Sequence, residues 1–326
     1  MPWFDLPETE LATYRTTTEE PDQLDGWWQS RLDEARAAEK PTTLTRYRPE
    51  AYGSIEVSDV EFSGARGDRI RGWYLRPAGA VDTALPLVVS YIGYGGGRGL
   101  PIEHLALPAV GLASFVMDTR GQGGTWSVGA TGDPGRGEDG PELPGVMTRG
   151  INDPLNYYFT RLFVDAARAV EVGAGLDGID PTRIAVSGAS QGGALALAAA
   201  ALQPELVSVC HAGVPFLCDI QRAIGLTAAR PFSEISDFLS RHVDLVPAAL
   251  DTLRYIDCAL LARRIQADCL FAVGLMDEIC PPSTVYAAYN EVTSTKEIAV
   301  HRFGGHAVPP AHQERATAHL LARLRP

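Results

Sequence analysis

Residues 184–200 read Ile-Ala-Val-Ser-Gly-Ala-Ser-Gln-Gly-Gly-Ala-Leu-Ala-Leu-Ala-Ala-Ala. A short run with β-branched residues passes through Gly-Ala-Ser-Gln-Gly, a match to G-x-S-x-G, into a strong helix former, which gives strand, sharp turn and helix in that order. The turn presents the Ser190 hydroxyl. It also brings strand, helix and serine backbone so close that side chains two residues to either side would clash, so Gly188 and Gly192 fit there. The helix start adds backbone N–H groups and the positive end of a dipole, an arrangement suited to an oxyanion. In a chain with 33 glycines the pattern alone is equally met by an ordinary tight turn, so its meaning rests on the other strand ends.

Working outward, residues 85–92 and 112–117 are mostly apolar runs, as expected for strands buried on both faces of a parallel sheet. The first runs into Gly93-Tyr94-Gly95-Gly96-Gly97-Arg98-Gly99. A phosphate loop would need Gly-Lys-Ser/Thr and a dinucleotide site its own glycine spacing; both are missing, and the cluster reads as the loop that supplies an oxyanion-hole N–H. Tyr94 there and Gln191 after the serine are the candidate donors. The second run ends in Asp118-Thr-Arg-Gly-Gln-Gly123, and residues 121–150 then form a long irregular loop rich in Gly and Pro.

Residues 55–62 and 70–75 alternate around a Gly-containing loop and predict an antiparallel hairpin. Helical spacing marks 22–38, 101–110, 156–176, with one apolar face, and 310–324. Trp27 and Trp28 fit core packing at helical period better than a carbohydrate platform. Residues 206–212, 269–274 and 298–303 read as further strands, and 215–265, helical with interruptions at Pro231 and Pro247, as an insertion above the sheet where substrate enters. With no repeat or dividing linker, the expectation is one α/β domain over 1–326: a mostly parallel central sheet, an N-terminal antiparallel hairpin and a helical insertion.

A serine hydroxyl needs a base to take its proton and an acid to orient that base. In open α/β sheets such groups lie beyond the carboxyl ends of strands. Asp277 follows one late strand and His306 the last, giving the chain order Ser190, Asp277, His306 of α/β-hydrolases. His301 lies within a strand, His312 and His319 within the terminal helix, and His104, His211 and His242 precede the acid. Glu278 is the adjacent rival acid, whereas Asp257 and Asp268 precede their strand.

Bulk properties narrow the partners. The formal charge of −12 opposes nucleic acid. The Ala-rich run is too short to span a bilayer, the first residues lack a basic segment followed by an apolar one, and no membrane association is expected. Five cysteines (210, 218, 258, 269 and 280) show no C-x-x-C spacing, so free thiols in a reducing compartment and a cytoplasmic location are expected, with no metal site.

Taken together, Phe4-Asp-Leu-Pro7, Tyr91-Ile-Gly-Tyr-Gly-Gly-Gly-Arg-Gly99, Met117-Asp-Thr-Arg-Gly-Gln-Gly123, Met147-Thr-Arg-Gly150, Gly188-Ala-Ser-Gln-Gly192, Val214-Pro-Phe-Leu-Cys218 and Gly274-Leu-Met-Asp-Glu-Ile-Cys-Pro-Pro-Ser-Thr284 resemble the acetyl xylan esterase / cephalosporin C deacetylase family, the seventh carbohydrate esterase family. The resemblance implies Ser190 as nucleophile, His306 as base, Asp277 as its orienting acid, and the N–H groups of Tyr94 and Gln191 as the oxyanion hole. It further implies hydrolysis of acetyl esters on small sugars, xylooligosaccharides or cephalosporin C without metal or cofactor, peroxide replacing water in some members, and a homo-oligomer, by family habit a hexamer. Arg120 and Gln122 fit a structural role in the strand-end loop; Phe216 and Trp126 are candidates to line an acyl or sugar pocket, and Cys280 fits a packed thiol. Ala307 stands where the family usually has Glu and Ala189 where it has Gly. A peptidase or lactone hydrolase on the same scaffold, or an inactive binding or scaffold protein, are the competing readings.

Overall fold

The apolar strands assemble into one nine-stranded sheet in a computed structural model that describes residues 3–80, 84–134 and 145–325. The strands are β1 (Thr43–Arg46), β2 (Ile55–Ser63), β3 (Arg69–Pro77), β4 (Leu85–Tyr91), β5 (Ala113–Met117), β6 (Ile179–Ala189), β7 (Val207–Gly213), β8 (Asp268–Gly274) and β9 (Lys296–His301). In space they run β1-β2-β3-β5-β4-β6-β7-β8-β9. The first three pair antiparallel, β3 pairs antiparallel with β5, and every pairing from β5 to β9 is parallel. The sheet and its helices are those of the α/β-hydrolase fold.

The eleven α-helices among the described residues are α1 (Glu8–Leu11), α2 (Leu24–Ala37), α3 (Ala106–Ala109), α4 (Tyr158–Ala174), α5 (Gln191–Leu202), α6 (Ile220–Leu226), α7 (Phe232–Leu239), α8 (Val246–Ile256), α9 (Cys258–Leu261), α10 (Pro282–Glu291) and α11 (Pro310–Leu324). Helices α4 and α5 pack on one face of the sheet, where they bury the main apolar core. On the other face Leu320 and Leu324 of α11 close over Val88, Ala185 and Val209. Trp28 stacks near Phe163 with ring centroids 5.9 Å apart and donates its indole N–H to the Tyr255 carbonyl, which makes it a packing residue. The interrupted segment 215–265 forms α6 to α9, and none of the helices is long and apolar enough to cross a membrane.

Several elements depart from the expectation, α1 and α10 among them, which have no counterpart in the sequence reading. Residues 101–110 form a 3-10 turn and then the short α3, because Pro108 cannot donate to a helix running through it. Strand β1 is absent from the sequence reading because its four side chains are all exposed and leave no alternation to read. Helix α4 is buried almost all round rather than on one face, and it carries Arg161, Asp165 and Arg168 into the interior. Of the irregular loop at 121–150, residues 135–144 lie outside the described residues; the rest contains a small bridge between Gly124 and Val128.

The strand order positions the site. The chain leaves β4 toward β5 on one side and β6 toward β7 on the other, so the loops beyond these two neighbours diverge and open a crevice. Tyr94 follows β4 and Ser190 follows β6, both at that opening.

Candidate active site

Ser190 occupies the turn between β6 and α5 with φ 56° and ψ −122°, a conformation that non-glycine residues rarely hold. Three backbone bonds fix it there: its N–H donates to the Gly213 carbonyl at 2.9 Å, and its own carbonyl accepts the N–H groups of Phe216 and Ala194, each at 3.0 Å. The flanking glycines are dictated by close approach. A Cβ on Gly188 would stand 2.3 Å from the Gly192 carbonyl carbon, and one on Gly192 would stand 2.3 Å from the Tyr91 oxygen. Ala189, between them, is exposed and lines the cavity beside Ser190.

The loops after β8 and β9 are sewn together. Leu275 N–H donates to the His301 carbonyl and Met276 N–H to that of Gly304, while a Cβ on Gly274 would collide with Gly305. This brings His306 over Ser190, with Nε2 and Oγ 2.9 Å apart. Nδ1 lies 2.9 Å from Oδ2 of the fully buried Asp277. Oδ1 of the same carboxylate accepts the N–H groups of Ile279 and Cys280, both at 2.9 Å. An acceptor-only carboxylate on Nδ1 selects the tautomer with the proton on Nδ1 and leaves Nε2 free to accept from Ser190.

The rivals go elsewhere. Glu278 is exposed. Asp257 is buried under α6, where it accepts the N–H groups of Asp219, Ile220 and Ala259, and burial pushes its pKa up to about 7. Asp268 opens β8 and meets His319 and Arg323. His211 and His312 face each other across the β7–α11 packing, away from the crevice.

The oxyanion candidates lie on both sides of the serine. Gln191 is the first residue of α5, and its buried side chain turns away from the crevice to donate to the Ile92 carbonyl at 3.1 Å, tying the elbow to the glycine loop. Gln122 completes that tie. Its amide donates to Gln191 at 2.8 Å and to the Tyr158 hydroxyl at 2.9 Å, and its oxygen accepts the Gly95 N–H at 2.6 Å. Arg120 is wholly buried among Asp165, Asp68 and Asp133. Neither side chain lines the cavity around Ser190.

That cavity measures about 620 Å³, and its lining includes Ser190, His306, Tyr94, Trp126, Ile279 and Glu234. Trp126 stands exposed at the mouth and donates its indole N–H to the Tyr94 carbonyl at 2.9 Å. Phe216 does not line the cavity. It lies buried behind Tyr94 and Phe232, with ring centroids 6.5 and 4.2 Å away, because the sharp turn that delivers its N–H to Ser190 sends the ring into the core. Glu234, on α7, was not singled out by the sequence; an acidic residue inside a helical insertion carries no signal until the fold brings it to the site.

Among the described residues one group of metal-ligating side chains converges, Asp277, Cys280 and His306, with donor atoms within 4.8 Å of one another. The carboxylate and imidazole already bond each other, and burial followed by the Asp277 charge pushes the Cys280 thiol well above its ordinary pKa. The Nδ1 and Oδ2 atoms are thus engaged with each other, and Oδ1 accepts two backbone N–H groups, so the set holds the imidazole in place.

The model of the acetyl xylan esterase family matches residues 1–324. The chain belongs to the acetyl xylan esterase family. It is 35% identical to the acetyl xylan esterase from Paenibacillus sp. R4, covering 98% of this chain and 100% of that one with a TM-score of 0.91. Acetyl xylan esterase 1 from Thermoanaerobacterium sp. JW/SL YS485 is 34% identical, covering 99% and 100% with a TM-score of 0.91. A more distant relative, acetyl esterase Axe7A of Xylanibacter ruminicola, is 27% identical over 299 residues, which are 89% of this chain; the chain spans only 64% of that relative's length.

Proposed function

We propose that this member of the acetyl xylan esterase family is a serine esterase that removes acetyl groups from small acetylated carbohydrates, xylooligosaccharides among them, through an acyl-enzyme. The observation that carries the reading is the continuous hydrogen-bond chain from Ser190 Oγ through His306 to Asp277 at the wall of the cavity. In this reading His306 Nε2 takes the Ser190 proton as Oγ bonds to the acetyl carbon, and Asp277 stabilises the resulting imidazolium. The N–H groups of Tyr94 and Gln191 receive the negative charge that develops on the carbonyl oxygen. His306 then protonates the departing sugar oxygen. Water attacks the acetyl-serine with His306 again as base, acetate leaves, and the serine regains its proton. No redox step or Lewis acid is required by this balance.

Trp126 supports a sugar on the alcohol side, since an exposed indole at the mouth offers a flat apolar face and its N–H is already satisfied. We extend the proposal to deacetylation of cephalosporin C, whose acetyl ester poses the same chemistry. We include a homo-oligomer, which the resemblance to the family implies. A cytoplasmic location is supported by five buried, unpaired cysteines.

The test is hydrolysis of p-nitrophenyl esters of increasing acyl length and of acetylated xylooligosaccharides by the natural chain and by Ser190→Ala. Acetyl preference lost by about four to six orders of magnitude in kcat is expected. Turnover of peptides or lactones in preference to acetyl esters would replace the reading, and no turnover of any ester would leave an inactive binding protein.

A further inference from the structure

We infer that Glu234 is a positioning residue for the oxyanion hole: it grips the far end of the Tyr94 side chain and so aims the Tyr94 backbone N–H, an inference that rests on the proposed esterase reading. The Tyr94 hydroxyl lies 3.0 and 3.2 Å from the two oxygens of Glu234 and donates to them. The same hydroxyl accepts the Val146 N–H at 2.9 Å. One phenol thus joins the glycine loop after β4, helix α7 of the insertion and the segment at 145–147.

The surroundings of the carboxylate are built to hold it. Glu234 is 4% exposed, and Met147 N–H points at Oε2 from 3.4 Å. Met147 is in turn anchored by its carbonyl, which accepts the buried Tyr157 hydroxyl at 2.9 Å. Gly145 passes directly over the carboxylate with φ 115°, and a Cβ there would stand 2.2 Å from Oε2, so only glycine admits the acid at this place. Burial, opposed by the bonds from Tyr94 and Met147, raises the Glu234 pKa, and burial also raises that of Tyr94, which therefore stays a donor through the neutral range.

The loop that carries the Tyr94 N–H is rich in glycine and has little side-chain mass to fix it. It is held at the carbonyl of Tyr94 by Trp126, at Gly95 by Gln122, and at the tip of the Tyr94 ring by Glu234. A backbone donor aimed at a developing charge must be placed before the reaction begins, because its worth lies in needing no reorganisation. Freeing the phenol therefore weakens binding of the transition state more than binding of the substrate.

The experiment measures kcat and KM separately for p-nitrophenyl acetate, together with the inhibition constant of a trifluoromethyl ketone, which binds serine as an oxyanion. Glu234→Ala and Tyr94→Phe are each expected to lower kcat and to weaken the ketone by about ten- to a hundredfold, less than deletion of a donor, with KM within about threefold. The double variant should be no worse than the weaker single one, because both remove the same bond. Glu234→Gln keeps an acceptor for the phenol and should restore kcat to within about threefold of the natural chain. Thermal melts of all variants show whether they fold, and the rescue by Gln separates loss of this bond from general damage. Unchanged kcat in folded Glu234→Ala or Tyr94→Phe, a KM effect alone, or losses that multiply in the double variant would each overturn the assignment while leaving the esterase reading in place. No turnover by the natural chain would sink both.

Discussion

Arg120 donates to both oxygens of Asp165, from Nε at 2.5 Å and from Nη2 at 2.8 Å, and neither side chain touches solvent. The pair ties the loop after β5 to α4. Asp165 also accepts the Ala65 N–H at 2.8 Å, and Arg120 reaches Asp68 and Asp133 at 3.1 and 3.2 Å. Burial alone would lower the Arg120 pKa, but the three carboxylates raise it above its ordinary value and keep the guanidinium charged. Removing the cation leaves Asp165 buried without its counter-charge. Arg120→Met is therefore expected to destabilise the fold by about 3–5 kcal/mol in denaturant unfolding. Arg120→Lys should recover little, since an ammonium lacks the two-point fork. Equal midpoints for Arg120→Met and the natural chain would refute the network's role.

The assignment of the acid separates two adjacent carboxylates. Asp277 is buried against His306, whereas Glu278 is exposed and its carbonyl accepts the Thr227 hydroxyl. Asp277→Asn presents an amide that stabilises the wrong imidazole tautomer, and kcat for p-nitrophenyl acetate is expected to fall by about 10⁴ with KM nearly unchanged. Glu278→Gln should stay within about twofold, as surface changes usually do. A reversal of these two results would move the acid to position 278.

The strand–turn–helix at 184–200 can be read from sequence because every constraint there is local: β-branched residues, two glycines forced by backbone approach, and a run of helix formers. The late strand ends are readable for the same reason, and chain order alone pairs Asp277 with His306. What escapes is what depends on partners far along the chain. Gln122 reads as a tie of the strand-end loop, but nothing local says that it ties that loop to Gln191, Gly95 and Tyr158. Phe216 has the composition of a pocket residue, but side-chain direction at a sharp turn is set by the turn, and the ring faces the core. The burial of Asp165 and Glu234 is invisible for the opposite reason, since a charged residue reads as surface until its partner is known.

Ala307 is exposed beside His306 in the position where relatives are expected to carry Glu. A carboxylate there would favour the protonated imidazole, moving the acidic limb of the pH–rate profile upward. Solvent and salt screen an exposed charge, so Ala307→Glu is expected to shift that limb by no more than about half a pH unit. A larger shift in kcat/KM profiles would show that this departure tunes the base.

His211 and His312 form a buried pair whose titration works against the fold in acid. Their Nε2 atoms lie 3.0 Å apart, so one proton serves both, and Nδ1 of His211 is held by Ser187 Oγ at 2.9 Å. Burial, then the neighbouring His312 and His319, pushes the His211 pKa down to about 3; burial, then His301 and Arg315, pushes that of His312 down to about 4. In the unfolded chain both titrate near 6.5. Between pH 6.5 and 4 the unfolded state therefore binds more protons than the folded one, and stability falls as pH falls. The pair's effect fades out over about one pH unit above 6.5. Each histidine contributes a slope of up to about 1.4 kcal/mol per pH unit. The raised pKa of Asp257 gives a slope of the opposite sign in the same window, so the pair is isolated by comparison: from urea midpoints at pH 7, 6 and 5, His312→Leu, which removes one titrating group and lets His211 keep Ser187, should lose less stability toward pH 5 than the natural chain. An equal decline in the variant would assign acid lability to other groups.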